Sequence, residues 1–216
     1  PLSVSLAALE AYLLQHGRDW ERYAYIKARV VNPWDDADGL YRDVLRPFIY
    51  RRYLDYGVFS SLREMKAMIA AEVEKKEYRA NLKLGPGGIR EIEFIVQALQ
   101  LVRGGTVLGL RQQQLLRALP QLVQAGCLPA ADAADLETAY CFLRLAENRV
   151  QALHDRQTHD IPADPLDQQR LAFAMGMAGW DEFLAALDVQ RDRVAYHFRD
   201  IVFRGANGAG ISGAPA

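Results

Sequence analysis

The stretch Asn81-Leu-Lys-Leu-Gly-Pro-Gly-Gly-Ile-Arg-Glu-Ile-Glu-Phe94 narrows the folds open to this chain more than any other. It sets a glycine-rich turn in front of a helix that is apolar over most of its circumference. At 100° per residue from Ile89, Ile92, Ile95, Val96 and Leu99 fall on one side, while Phe94, Ala98 and Leu101 fall nearly opposite. A helix with two apolar faces has to be enclosed by other elements. Between the faces, Arg90, Glu93, Gln97 and Gln100 form a polar stripe roughly 80° wide. Buried charge is costly unless paired, so the stripe needs partners: an internal Arg90–Glu93 pair closing a helix–helix interface, or a ligand. The turn at Gly85, Gly87 and Gly88 faces the first N–H groups of the helix, where an anion, phosphate above all, is favoured.

The remaining patterns are also helical. Leu6, Leu9, Leu13 and Leu14 mark a helix ended by Gly17, and Asp19 is placed to cap a second one through Trp20, Tyr23, Ile26 and Val30, stopped by Asn32-Pro33. Periodicity resumes at Leu40, is interrupted at Pro47 and continues through Tyr53; Val58 to Lys76 reads as a long amphipathic helix. Further helices are expected over 110–124, 130–154, 166–177 and 180–203. Only residues 81–84 suit a strand, a very short one. The fold class is therefore all-α, a multi-helix, bundle-like domain over residues 1–204, followed by a flexible tail or linker over 205–216 made almost entirely of Gly, Ala, Ser, Asn and Pro.

The 216 residues carry a formal net charge of −1, which argues against a nonspecific nucleic-acid binder. No apolar run approaches the roughly 20 residues of a membrane span, and the order of a signal peptide is missing at the start. Cys127 and Cys141, without metal-ligand spacing, read as reduced, packed thiols, and the compartment is expected to be the cytoplasm. A chain starting at Pro1 is expected to be cut from something longer.

Other constellations are weaker. Lys27 shares a helix face with Trp20, Tyr23, Ala24 and Val31, either snorkelling or facing a phosphate or carboxylate in a cleft. Arg42, Arg46, Arg51 and Arg52, interleaved with Phe48, Tyr50 and Tyr53 but diluted by Asp43 and Asp55, read as a solvated helix face. Asp36-x-Asp38 has the spacing of a metal-binding carboxylate pair but lies in a polar loop. His154 and His159 are off the helical i, i+4 pairing and have no evident third ligand, so no metal site is expected.

Read in order, Gly17-Arg-Asp-Trp-Glu-Arg-Tyr-Ala24, Ile26-Lys-Ala-Arg29, Leu45-Arg-Pro-Phe48, Arg51-Arg-Tyr53 and the Lys83–Phe94 segment resemble the bifunctional glutamine synthetase adenylyltransferase/adenylyl-removing enzymes of bacteria. The likeness continues through Phe142-Leu-Arg144, Glu147-Asn148 and Gln157-Thr158 to about residue 203, so it covers all but the tail. That family has two homologous halves, each a nucleotidyltransferase domain followed by helices. Arg90-Glu91 after the paired glycines, where the transferase half has Thr-Asp, points to the adenylyl-removing half.

The resemblance implies phosphorolysis of adenylyl-tyrosine on glutamine synthetase with release of ADP, under control of the PII signal protein and glutamine. It also implies magnesium and ATP or ADP in the parent enzyme. The family's metal-binding carboxylates lie on nucleotidyltransferase strands that precede this chain, so it carries over neither catalytic nor metal residues; by itself the chain is expected to be inactive and to bind no cofactor tightly. It is expected to form one wall of the cleft, with Lys27, Lys83, Gly87, Gly88 and Arg90 as candidates to meet phosphate or nucleotide and Glu93 orienting Arg90. The alternatives are a docking module for glutamine synthetase or PII, and the helical region of a related PII uridylyltransferase.

Overall fold

A computed structural model describes residues 3–31, 37–50 and 78–204. The helix expected over Val58–Lys76, the residues Asp36 and Arg51 to Tyr53, and the tail lie outside the described residues. The chain divides into two compact units, one drawn from Pro1–Met65 and Val96–Pro129, the other from Lys66–Ile95 and Ala130–Ala216.

In the first unit, α1 (Leu6–Gln15) is capped by Ser5, whose hydroxyl accepts from the Ala8 N–H at 3.2 Å. Helix α2 (Asp19–Ile26) begins at Asp19 itself, not after it. Glu21 takes over the expected capping role, its carboxylate accepting from the Arg18 N–H at 2.8 Å. The next segment runs as α3 (Ala37–Gly39), a π-helical stretch Leu40–Leu45 and α4 (Arg46–Ile49). Here the helix passes through Pro47, which has no N–H to give, after a wide turn in which the Arg46 N–H reaches the Tyr41 carbonyl. Leu13, Ile26, Leu45, Phe48, Ile49, Tyr50 and Leu101 close the core of this unit. Arg22 is buried with them, its Nε and Nη2 donating to the Ile49 carbonyl at 3.1 and 2.8 Å and its Nη1 3.6 Å from Asp19.

Helix α5 (Ile89–Arg103) starts in the second unit and continues in the first from Val96. Its two apolar faces are buried as expected: Ile89, Ile92, Phe94, Ile95, Val96, Ala98 and Leu101 are all enclosed. Gln100, from the polar stripe, is buried too, and its Nε2 donates to the carbonyls of Leu110 and Gln112 at 2.6 and 2.8 Å. A short 3₁₀ turn (Leu108–Leu110) then leads to α6 (Leu115–Gln124), which buries Leu115, Ala118, Leu119 and Leu122 at the spacing of one helix face.

The second unit is built on α7 (Ala130–Leu153), α8 (Pro165–Ala174) and α9 (Trp180–Arg204), which pack on one another. Leu136, Leu143, Leu171, Phe183, Leu187 and Val194 are buried, and the Phe183 ring stacks between Trp180 and Phe142, with centroids 5.1 and 6.1 Å away. His197 of α9 is buried against the start of α7, with Nε2 3.2 Å from Asp135 and Nδ1 3.9 Å from Asp132. Cys127, in the first unit, is half-buried, and burial pushes its thiol up; Cys141 is exposed, so the expectation of packed thiols fails there. No strand occurs among the described residues: Asn81 makes a single antiparallel bridge to Asp160, and the chain turns at once over residues 82–84.

Candidate functional site

The glycine turn belongs to the second unit, and Asn81 organises it. Its Oδ1 accepts from the N–H groups of Lys83 and Leu84 at 3.0 and 2.7 Å, which bends the chain away from an extended course. Its Nδ2 donates to Asp160 at 2.6 Å, and its carbonyl accepts from the Gly85 N–H and from Arg191 Nη2, both at 3.0 Å. Arg191, reaching in from α9, thus fixes the turn from beneath. Gly87 presses its backbone onto the same helix: at φ +67°, a Cβ there would lie 2.3 Å from the Arg191 carbonyl oxygen.

The turn therefore closes on protein. The N–H of Ile89 bonds the Leu82 carbonyl at 3.1 Å, that of Arg90 bonds Lys83 at 3.0 Å, and those of Gly88 and Glu91 bond Gly85 and Gly88 at 2.9 and 3.1 Å. The Gly87 N–H donates to the Glu91 carboxylate at 3.1 Å. The backbone donors expected to meet an anion are thus occupied by the carbonyls of Leu82, Lys83, Gly85 and Gly88 and by the Glu91 carboxylate. What the turn presents outward is side chains: Arg90 is exposed and Lys83 is half-buried, as is Glu93 one turn further on. Gly87 and Gly88 are buried. Lys27 is exposed and caps the C-terminus of α2 in the first unit.

Sequence spacing did not reveal a second group close to the turn. The Leu82 N–H donates to the His159 carbonyl at 2.8 Å, and His159 Nδ1 lies 2.7 Å from Oε1 of Glu147, a buried carboxylate on α7. The other Glu147 oxygen is 2.5 Å from Arg144. Tyr140, one turn earlier on α7, keeps its hydroxyl proton, held above the usual range by burial first and by Glu93 next. His154 bonds Asp167 at 2.6 Å, so the two histidines serve different carboxylates. A cleft of about 220 Å³ beside His154 is lined by Val150, Arg156, Thr158, Asp160 and Asp167 among others. Among the described residues no group of three His, Cys, Asp or Glu side chains is arranged to hold a metal ion, and no helix is long and apolar enough to cross a membrane.

A family model described as GlnD PII-uridylyltransferase matches residues 63–202, and the chain belongs to that family. A second model, described as glutamate-ammonia ligase adenylyltransferase, matches residues 1–41. Over nearly the whole chain the similarity is to proteins named bifunctional glutamine synthetase adenylyltransferase/adenylyl-removing enzyme. That of Xanthomonas axonopodis pv. citri is 49% identical over 93% of this chain, that of Hahella chejuensis 50% over 93%, and that of Pseudomonas aeruginosa 50% over 94%. The chain spans 21% of the length of each of these relatives.

Proposed function

We propose that this chain is a segment of a bifunctional glutamine synthetase adenylyltransferase/adenylyl-removing enzyme and that it forms one wall of the cleft in its adenylyl-removing half. The carrying observation is the identity of 49–50% across more than nine-tenths of the chain. The assignment to that half rests on Arg90-Glu91 after the paired glycines. In this reading the wall serves phosphorolysis: a phosphate oxygen attacks the adenylyl phosphorus, the bond to the tyrosine oxygen breaks, and ADP leaves.

Lys83 and Arg90 are the groups to meet phosphate or nucleotide, through their side chains, since the backbone donors beside them are engaged. Glu93, three residues beyond Arg90 on α5, orients it, and Lys27 offers a further cation. Among the described residues no group fits the parent's magnesium, and in this reading its carboxylates belong to the nucleotidyltransferase domain of the longer protein. Glutamine synthetase is the substrate, and PII and glutamine are the regulators, of that longer protein.

The test is phosphate-dependent ADP release from adenylylated glutamine synthetase, comparing this chain with one extended to include a nucleotidyltransferase domain. Activity in the extended chain alone supports a wall; equal activity in this chain would place catalytic groups within it. Arg90→Ala in the extended enzyme should impair phosphorolysis with the fold intact, Arg90 being exposed. A wild-type rate would remove Arg90 from the site. The family model over residues 63–202 favours a second reading, the helical region of a PII uridylyltransferase, which uridylyl transfer by the extended chain would establish.

A further inference from the structure

The cleft of about 220 Å³ beside His154 lies in the second unit, between the end of α7 and the start of α8. Its volume suits a ligand smaller than a drug-sized molecule. Val150, Leu153 and Pro162 supply apolar surface, and the rest of the lining carries both signs of charge. Asp167 is fully engaged: His154 Nε2 lies 2.6 Å from its Oδ2, and Arg170 donates to its Oδ1 at 3.0 Å. Asp160 and Asp164 are engaged through one oxygen each. Asp160 Oδ1 accepts from Asn81 Nδ2 at 2.6 Å, and Asp164 Oδ1 accepts from the N–H groups of Leu166 and Asp167 at 3.0 and 3.1 Å. Their Oδ2 atoms have no partner among the described residues. Nor does the Arg156 guanidinium, and the Thr158 hydroxyl, which accepts from the Asp160 N–H at 3.3 Å, donates to none of them. Opposite charges thus line one cleft without pairing with each other. The loop that carries them is tied down, since Gln151 Nε2 donates to the Thr158 carbonyl at 3.2 Å, Gln168 Nε2 to that of Pro162 at 3.1 Å, and the Ile161 N–H to that of Ala80 at 2.9 Å. Its backbone is therefore ordered before any ligand arrives.

We infer that this cleft binds a small zwitterion, an α-amino acid with an apolar side chain. Arg156 and Thr158 take its carboxylate, the Oδ2 atoms of Asp160 and Asp164 take its ammonium, and Val150, Leu153 and Pro162 cover its side chain. A simple anion would meet two carboxylates and a simple cation would meet a guanidinium; a molecule that carries both charges matches all three groups. Arg156, Asp160 and Asp164 are exposed, so water screens each contact and the Kd is about 1 mM. The site goes beyond the proposed function and does not depend on it.

The experiment titrates the chain with leucine at neutral pH and follows the ¹H–¹⁵N signals of the Arg156, Thr158 and Asp160 amides. Leucinamide, which lacks the carboxylate, and N-acetylleucine, which lacks the ammonium, are titrated in parallel. Leucine should shift the signals saturably, and each analogue should bind about tenfold more weakly, having lost one charge-assisted contact. Arg156→Gln should weaken leucine binding about tenfold without weakening that of leucinamide. Asp164→Asn, which keeps the capping oxygen of α8, should weaken leucine by a similar factor without weakening N-acetylleucine. Unmoved amide signals of the buried Val194 and His197 report that each variant is folded, and either variant suffices for the decision. The absence of a saturable shift, an analogue that binds as tightly as leucine, or an unchanged leucine affinity in a folded variant would overturn the inference.

Discussion

Gly87 and Arg191 meet backbone to backbone: a Cβ on Gly87 would stand 2.3 Å from the Arg191 carbonyl oxygen and 2.5 Å from its Cα. No side-chain movement relieves such a contact, and φ +67° adds a conformational cost for any L side chain. Gly87→Ala should therefore destabilise the second unit by about 2–5 kcal/mol, combining left-handed strain with overpacking. Urea unfolding followed by circular dichroism measures it, and a loss under about 1 kcal/mol would mean that α9 yields easily.

Asn81 serves five partners with its side chain and carbonyl: Lys83, Leu84, Gly85, Asp160 and Arg191. Asn81→Ala removes the side-chain share and should cost about 2–3 kcal/mol, since the turn amides lose their acceptor inside the structure. Hydrogen exchange checks this directly: the Lys83 and Leu84 amides should lose protection, while that of Ile89, bonded to the Leu82 carbonyl, should lose less.

Arg22 delivers two donors to one carbonyl, that of Ile49. A lysine ammonium cannot reproduce that fork, so Arg22→Lys should behave as a disruptive change and cost about 2 kcal/mol or more. Thermal unfolding of the variant measures the loss; an unchanged midpoint would show that a point charge suffices.

Acid should act through Asp167. The hydrogen bond from His154 outweighs the opposing desolvation and, with a lesser one from Arg170, holds its carboxyl below the usual value of 3.8. A folded-state value below the unfolded one means that the contribution is complete above pH 3.8 and disappears as pH falls through the lower, folded value. Asp167→Asn should flatten the stability profile in that acid window and leave its slope near neutrality unchanged. Urea midpoints measured across both ranges decide it.

Periodicity carried most of the helical architecture. The helix expected over 110–124 runs from Leu115 to Gln124 and buries Leu115, Ala118, Leu119 and Leu122 at i, i+3, i+4, i+7 spacing, and the two apolar faces expected of α5 are enclosed. The site was legible only in part. The glycines pointed to a tight turn, but Gly87 answers to Arg191, a partner far along the chain, and the N–H groups at the helix start are taken by carbonyls between Leu82 and Gly88 and by the Glu91 carboxylate. Asn81 looked like a strand residue because its capture of two following amides shows only in three dimensions. On α2 the polar residues Glu21 and Arg22 are inside while Trp20 is exposed, since a carbonyl at Ile49 happens to stand within reach of Arg22. Glu147 and His159 share a contact that no spacing rule encodes.

The wide turn between Tyr41 and Arg46 holds one residue more than an ordinary helix needs, and every side chain after it is rotated by about 100° relative to an uninterrupted α-helix. Phe48 and Ile49, which follow the wide turn, lie in the core in that shifted phase. Deleting a single residue from Leu40–Leu45 would remove the extra residue and let the helix run regularly with Phe48 and Ile49 still turned inward, so the wide turn takes up one residue without moving the interior that follows it.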